Sequence, residues 1–241
     1  IQTAYYGERL DGLLRARALP IMCLPGHRIA ELSHFTDVAG ASALVIARAI
    51  EADIETIIAA STGNAGAAMA CMAASVGKKA VIIAPRSAPP AKVAQLLTFG
   101  AKVVLVDGTY DQAFDLSIEA SDELGWYNRN TGYNPYTVEG KKTAGLEIWE
   151  QVLLNRDQFD QNMTVFIPVG DGNILSGVAK GFADLLALGW IERLPRLVGV
   201  QAEGSAAIFN AFTAGKDVIE PVSAKTVADS ISVDLPRDGL R

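Results

Sequence analysis

"ETIIAASTGNAGAAMACMAASVG", residues 55–77, decides how this chain is read. Its first part, "ETIIAA" (55–60), reads as a buried strand. Ser61, Thr62, Gly63 and Asn64 follow as a tight polar turn, and the alanine-rich stretch from Asn64 reads as a helix. A strand that runs through small polar residues into a helix start gathers backbone N–H groups, two hydroxyls and the positive helix end at one spot. That spot suits a carboxylate or a phosphate. The same wording also suits a helix cap in which Ser or Thr bonds its own backbone.

Working outward, the pattern of this stretch recurs. "KAVIIAP" (79–85), "AKVVLVD" (101–107), "TVFIPVG" (164–170) and "RLVGVQAE" (196–203) read as further buried strands. Between them "PAKVAQLLTFG", "YDQAFDLSIEASDELG", "VEGKKTAGLEIWEQVLL" and "ILSGVAKGFADLLALGW" read as helices, each ending near a glycine or a charge. Ahead of the first strand, "ELSHFTDVAGASALV" (31–45) reads as the lead-in to a helix, and Pro20, Pro25 and Gly26 interrupt what precedes it. Alternating strands and helices predict an α/β fold of two open lobes with mainly parallel sheets covered on both faces. "NRNTGYNPYT" (128–137), rich in Asn, Gly and Pro, breaks the pattern and marks a crossing between lobes. The smaller lobe is expected over 38–147 and the larger over 1–37 and 148–241.

Composition narrows the partners. Half of the 241 residues are hydrophobic, enough for a substantial core, and the net charge of −6 comes without runs of like charge. A nucleic-acid partner is not expected. Cys23 and Cys71 fit neither a disulfide framework nor a metal pair, and His27 and His34 are the only histidines, so no metal site is expected. No apolar run reaches a membrane span, and "IQTAYYGERLDG" lacks a signal-peptide pattern. A cytoplasmic protein without a membrane partner is the expectation.

A second junction, "IPVGDGNILSG" (167–177), ends a strand in Gly170, Asp171, Gly172 and Asn173 before a helix that starts near Ile174. Glycines let a backbone approach an anion, and successive N–H groups there can cup a phosphate. Leu175 holds the place of the third glycine of a dinucleotide fingerprint, and no Walker lysine follows. A simple tight turn remains the alternative.

In their order, these segments resemble the pyridoxal-phosphate enzymes of the tryptophan synthase β fold, and threonine synthases in particular. The resemblance runs through "ALVIARAIE" (43–51), the STGN turn, "FGAKVVLVDGTYDQA" (99–113), "NPYTVEGKKTAGLEI" (134–148), "PVGDGNILSGVAKGF" (168–182) and "LVGVQAEGS" (197–205). It implies pyridoxal 5'-phosphate as cofactor, with Asn64 bonding the phenolic oxygen of its ring. It also implies that Gly170, Asp171, Gly172, Asn173 and Ile174 cup its phosphate. Ser61, Thr62, Gly63 and Ala65 would then hold the carboxylate of a small amino-acid substrate.

Such enzymes need a lysine whose amine forms the Schiff base with the aldehyde and moves protons. Relatives carry it in wording like S-F-K-D-R. Here "SHFTDVAG" (33–40) matches at Phe35 and Asp37 but has Thr36 in the lysine's place and Val38 in the arginine's. A threonine forms no imine, so the Schiff-base residue is not assigned. Point substitution in a non-catalytic homologue would explain Thr36 alone. An omitted loop between "LSHFTDV" and "AGASALV" would also explain why the strand that relatives carry ahead of the lysine is missing. The resemblance further implies strands and helices beyond "DLPRDGLR", so the fold is expected to be incomplete at the C-terminus.

The implied activity is a lyase of amino-acid biosynthesis, a threonine synthase converting O-phosphohomoserine and water to threonine and phosphate, as a homodimer. Threonine dehydratase and cysteine synthase chemistry share both turns. A dinucleotide-dependent oxidoreductase, using "PVGDGN" for pyrophosphate and Glu203 for a ribose hydroxyl, is the reading outside the family. Glu139, Lys141, Lys142 and Lys180 are expected as surface helix charges, with Lys141 or Lys142 within reach of a substrate phosphate.

Overall fold

Buried β-branched runs need neighbours on both faces, and the first half of the chain supplies them. The computed structural model describes residues 29–61, 63–155, 163–228 and 231–237, with the backbone alone for 29–39 and 153–155. The chain divides into two units, one ending at Arg129 and the other beginning at Asn130.

The first unit runs α1 (Ile29–Glu51), β1 (Thr56–Ala60), α2 (Asn64–Ser75), β2 (Lys79–Pro85), α3 (Pro90–Thr98), β3 (Lys102–Val106), α4 (Tyr110–Leu124) and β4 (Tyr127–Asn128). Its strands form one parallel sheet in the order β3-β2-β1-β4, with Ile58 opposite Val81 and Ala60 opposite Ile83. Those four residues share a core with Ala113 and Phe114 of α4. Their alternates Ile57, Ala59, Ala80, Ile82 and Ala84 are buried too, and α2 packs on β1 and β2 with α1 against α2. β1 and β2, covered on both faces, have no polar side, which is why they read as continuous apolar runs; the edge strand β3, expected to be buried, instead leaves Val104 and Leu105 exposed because no further strand pairs beyond it among the described residues. The helix α2, buried at Gly66, Ala67, Ala68, Met69, Ala70 and Ala73, uses small side chains to sit close to the sheet.

The second unit runs α5 (Tyr136–Asn155), β5 (Thr164–Pro168), α6 (Asn173–Ala187), β6 (Arg196–Val200), a 3-10 turn (Glu203–Ser205) and α7 (Ala207–Thr213). The strands β5 and β6 pair in parallel, with Ile167 opposite Gly199. Ile167, Val178, Phe182, Leu185 and Ile191 form the core, and Trp149, Ile174 and Leu175 pack against it. On the other side of this pair Phe166 stays 68 % exposed. Glycines let α5 and α6 approach at backbone distance: a Cβ on Gly145 would lie 2.7 Å from the Val178 carbonyl oxygen, and one on Gly181 2.4 Å from that of Lys142.

The units differ from the lobes read in the sequence. The division falls at Arg129 rather than after Glu147, because α5 packs on α6. Asn128, the first residue of the expected crossing, forms with Tyr127 a strand on the edge of β1, where the Arg129 amide donates to the Ile58 carbonyl at 2.8 Å. The helix α1 begins at Ile29 and is continuous across Val38, Ala39 and Gly40, where the sequence reading set a lobe boundary and a junction. Residues 1–28, which include Cys23 and His27, lie outside the described residues.

Candidate functional site

The carboxyl end of β1 leads directly into the first candidate turn. Ser61 is buried, and its hydroxyl accepts from the amides of Gly63 (3.2 Å) and Gly66 (3.0 Å). It is thus a cap acting from outside the helix, since the N-cap residue Gly63 has no side chain to do so. The same hydroxyl keeps its own hydrogen for donation, so the cap and an anion are not exclusive uses. A Cβ on Gly66 would lie 3.1 Å from the Ser61 Cβ, which explains a glycine inside this helix. Asn64 is exposed as the first residue of α2. The amides of Asn64 and Ala65 belong to the first helical turn and have no intrahelical acceptor. Thr62 lies outside the described residues.

Two side chains that the sequence reading did not single out stand at the same end of this sheet. The Tyr110 hydroxyl donates to the Ala60 carbonyl at 3.4 Å, and the fully buried Arg129 donates from Nε to the Ser42 hydroxyl at 3.4 Å. Burial pushes the Arg129 guanidinium down to about 10, against the pull of nearby Tyr110. A lone arginine in an Asn-rich stretch carries no periodic signal, so its burial was not legible.

In the second unit, β5 ends in the other candidate turn. Gly172 adopts φ +91°, the left-handed region that favours glycine, and caps α6. A Cβ on Gly170 would lie 3.2 Å from the Ile231 Cα. The Asp171 carboxylate accepts from the Arg237 amide at 3.4 Å. The Ile174 side chain packs toward the apolar core, so what it offers the turn is its amide. Asn173 is buried, and the Thr137 hydroxyl contacts its side-chain oxygen at 3.4 Å. These residues leave a glycine-lined helix N-terminus at the carboxyl end of a parallel strand, an arrangement that fits a phosphate group.

The charged residues of α5 divide. Lys142 pairs with Glu139 and with Asp184 (2.9 Å), and Lys180 pairs with Glu139 (3.4 Å), as partly exposed charges. Lys141 corrects the expectation of a surface charge: it is 6 % exposed, its Cβ packed against Gly177. The position of the expected Schiff-base lysine, Thr36, is an interior residue of α1. Within the 241 residues the first lysine is Lys78, after the STGN turn. The phosphate part of the cofactor therefore finds fitting residues here, and Thr36 offers no amine for a covalent anchor. Among the described residues no cluster of His, Cys, Asp and Glu could hold a metal, and no helix is long and apolar enough to cross a membrane.

Comparison with known proteins adds the family. The family described as "Pyridoxal-phosphate dependent enzyme" matches residues 38–240. The threonine synthase of Methanocaldococcus jannaschii is 36 % identical over 193 residues, covering 79 % of this chain and 46 % of that protein. The threonine synthase of Bacillus sp. is 33 % identical over 196 residues, covering 80 % and 51 %. The chain thus spans about half the length of these curated relatives. Among solved structures, the processed form of threonine deaminase isoform 2 from Solanum lycopersicum superposes with a TM-score of 0.69 at 25 % identity, over 85 % of this chain and 57 % of that one. Maize serine racemase, at 23 % identity and a TM-score of 0.70 over 97 % and 72 %, shares the fold.

Proposed function

The chain belongs to the pyridoxal-phosphate-dependent enzyme family, and from that premise we propose that it carries the cofactor-phosphate and substrate-carboxylate turns of a threonine synthase-like lyase. The observation that carries this reading is the turn at 170–174, where a left-handed glycine opens α6 at the end of a parallel strand. Gly170, Gly172, Asn173 and Ile174 would hold the phosphate through backbone amides, with Asp171 turned to the Arg237 amide. Asn64 would bond the phenolic oxygen, and the backbone around Gly63 and Ala65, where the Asn64 and Ala65 amides lack an intrahelical acceptor, would orient a substrate carboxylate together with the Ser61 hydroxyl and Thr62. When bound, the cofactor supplies an electron sink for charge developing at the substrate α-carbon. The chain's contribution is to bind and orient: fixed amides favour the anions they face without reorganising during reaction.

The reaction proposed is O-phosphohomoserine and water to threonine and phosphate, in a cytoplasmic homodimer. The threonine synthases that match at 30–36 % identity support it. A second reading, threonine dehydratase chemistry, is supported by the structural likeness to threonine deaminases. A third, binding without turnover, is supported by Thr36. One experiment separates them. The purified protein is titrated with pyridoxal 5'-phosphate while its absorption is followed, then supplied with O-phosphohomoserine or with threonine. Phosphate released with threonine formed supports the synthase, and a 2-oxo acid with ammonia supports the dehydratase. Binding with neither product supports the non-catalytic reading, and absence of cofactor binding overturns all three.

A further inference from the structure

We infer that Ser205 is a positioning residue for the phosphate turn, because it holds the chain segment on which that turn rests; the inference depends on reading 170–174 as the phosphate cup. Strands β5 and β6 run parallel with Pro168 opposite Val200, so the turns that follow them, 170–173 and 203–205, lie at the same end of the pair. Ser205 is 1 % exposed. Its hydroxyl donates to the Val233 carbonyl at 3.0 Å and accepts from the Val233 amide at 3.0 Å. One side chain thus satisfies both backbone groups of a residue that belongs to no strand. Gly204 grips the same segment further back: its carbonyl accepts from the Lys225 amide at 2.8 Å, and a Cβ on it would lie 1.9 Å from the Lys225 carbonyl oxygen. Both small residues that end "LVGVQAEGS" (197–205) therefore have a task.

What Ser205 holds is packed on the turn. A Cβ on Gly170 would lie 3.2 Å from the Ile231 Cα, 3.3 Å from the Val233 Cγ2 and 3.4 Å from the Ile231 carbonyl oxygen. The Arg237 amide donates to the Asp171 carboxylate at 3.4 Å. Two successive residues of the turn thus rest on residues 231–237, at Gly170 main chain against main chain, so turn and segment share one position. The segment gains its place from discrete bonds. The Val222 amide donates to the Asp234 carbonyl at 2.9 Å and the Ala224 amide to the Asp234 carboxylate at 2.7 Å, which ties the segment to itself. The Ser205 bonds tie it to the end of the β5–β6 pair, beside the turn. Fixed amides bind an anion without reorganising, and here the backbone that carries them is backed by this segment. Without the Ser205 hydroxyl both Val233 backbone groups lose a partner and the seated segment is less populated. Affinity for a ligand that needs it seated falls with that population.

The test titrates wild type and Ser205→Ala separately with pyridoxal 5'-phosphate and with pyridoxal, which lacks the phosphate, and follows hydrogen exchange at the Val233 amide of wild type with each ligand. In wild type, pyridoxal 5'-phosphate is expected to slow that exchange and pyridoxal to leave it unchanged. Ser205→Ala is expected to bind pyridoxal 5'-phosphate about fivefold more weakly, the effect of one modest hydrogen bond, with pyridoxal binding unchanged. Unchanged pyridoxal 5'-phosphate affinity in Ser205→Ala overturns the inference, and so does an equal loss for both ligands, which a purely structural role would give. If Ser205→Ala does not fold, the exchange experiment on wild type decides: no slowing, or equal slowing by both ligands, overturns the inference. Wild type that binds no pyridoxal 5'-phosphate overturns the cofactor reading and this inference together. Wild type that binds it beside an unaffected Ser205→Ala overturns the inference alone.

Discussion

Gly177 meets Lys141 at backbone distance: a Cβ on the glycine would lie 2.6 Å from the Lys141 Cβ and 2.9 Å from its carbonyl carbon. The neighbours are main chain and the root of a side chain, so no rotamer change relieves the clash. Gly177→Ala should therefore push α5 from α6 and destabilise the second unit by roughly 1–3 kcal/mol, less about 1 kcal/mol from the better helix propensity of alanine. A urea unfolding midpoint equal to or above that of wild type would show that this approach can relax.

Lys142 links the same helices through charge. Burial alone would lower its pKa, but hydrogen bonds and attraction from Glu139 and Asp184 outweigh that and raise it. A base raised in the folded state stabilises below its unfolded pKa, and that stabilisation is lost as pH climbs through the folded value. Lys142→Met should lower stability by about 0.5–1 kcal/mol at neutral pH, the range for partly exposed pairs. The deficit should hold through mildly alkaline pH and shrink only once wild type titrates in the lysine range. Melting curves across pH read this directly, and a deficit that closes already near neutrality would contradict it.

The contrast between these two lysines shows what the sequence could carry. Strands β1 and β2 were legible because continuous burial leaves a run such as "KAVIIAP" with no polar alternation to misread, while β3, β5 and β6, read as buried from equally apolar wording, keep Val104, Leu105, Phe166 and Val200 exposed. Two-residue β4 was not, since Tyr127 and Asn128 are strand only through pairing with Ile57 and Ile58. Lys141 and Lys142 are adjacent in one charged stretch, yet one is buried because Gly177, 36 residues later, offers it a groove. Thr137 was read as part of a crossing, although the Asn134 side chain accepting from the Tyr136 amide, with Pro135 between, is the helix-start signal that places it in α5. The two turns themselves were visible, because small polar residues and glycines at a strand end have few other uses.

Ser61 is the side-chain cap of α2, accepting two amides that would otherwise lie unsatisfied in partly buried surroundings. Ser61→Ala should cost about 1–2 kcal/mol, seen as a lower unfolding midpoint with the denaturant slope unchanged. Because the first turn of α2 is also the proposed carboxylate cradle, the same variant should weaken amino-acid binding to the cofactor-loaded protein. Retention of wild-type stability would mean that another group, or water, takes over both amides.

Asn64 separates cofactor binding from capping more cleanly than any other residue of that turn. It is exposed and follows the N-cap position, while the capping bonds belong to the Ser61 hydroxyl. Loss of its side chain should therefore leave the melting temperature nearly unchanged. If Asn64 bonds the phenolic oxygen of the ring, Asn64→Ala removes one hydrogen bond, worth about 0.5–1.5 kcal/mol and more if that oxygen is charged. Affinity for pyridoxal 5'-phosphate should fall by about threefold to tenfold on that basis. The visible absorption of the bound cofactor should also shift, because the lost donor alters the electronics of the ring directly. Titrating wild type and Asn64→Ala side by side, with melting temperatures for both, decides between the roles. An unchanged spectrum with lowered stability would return Asn64 to a structural part of the helix start and remove it from the cofactor site.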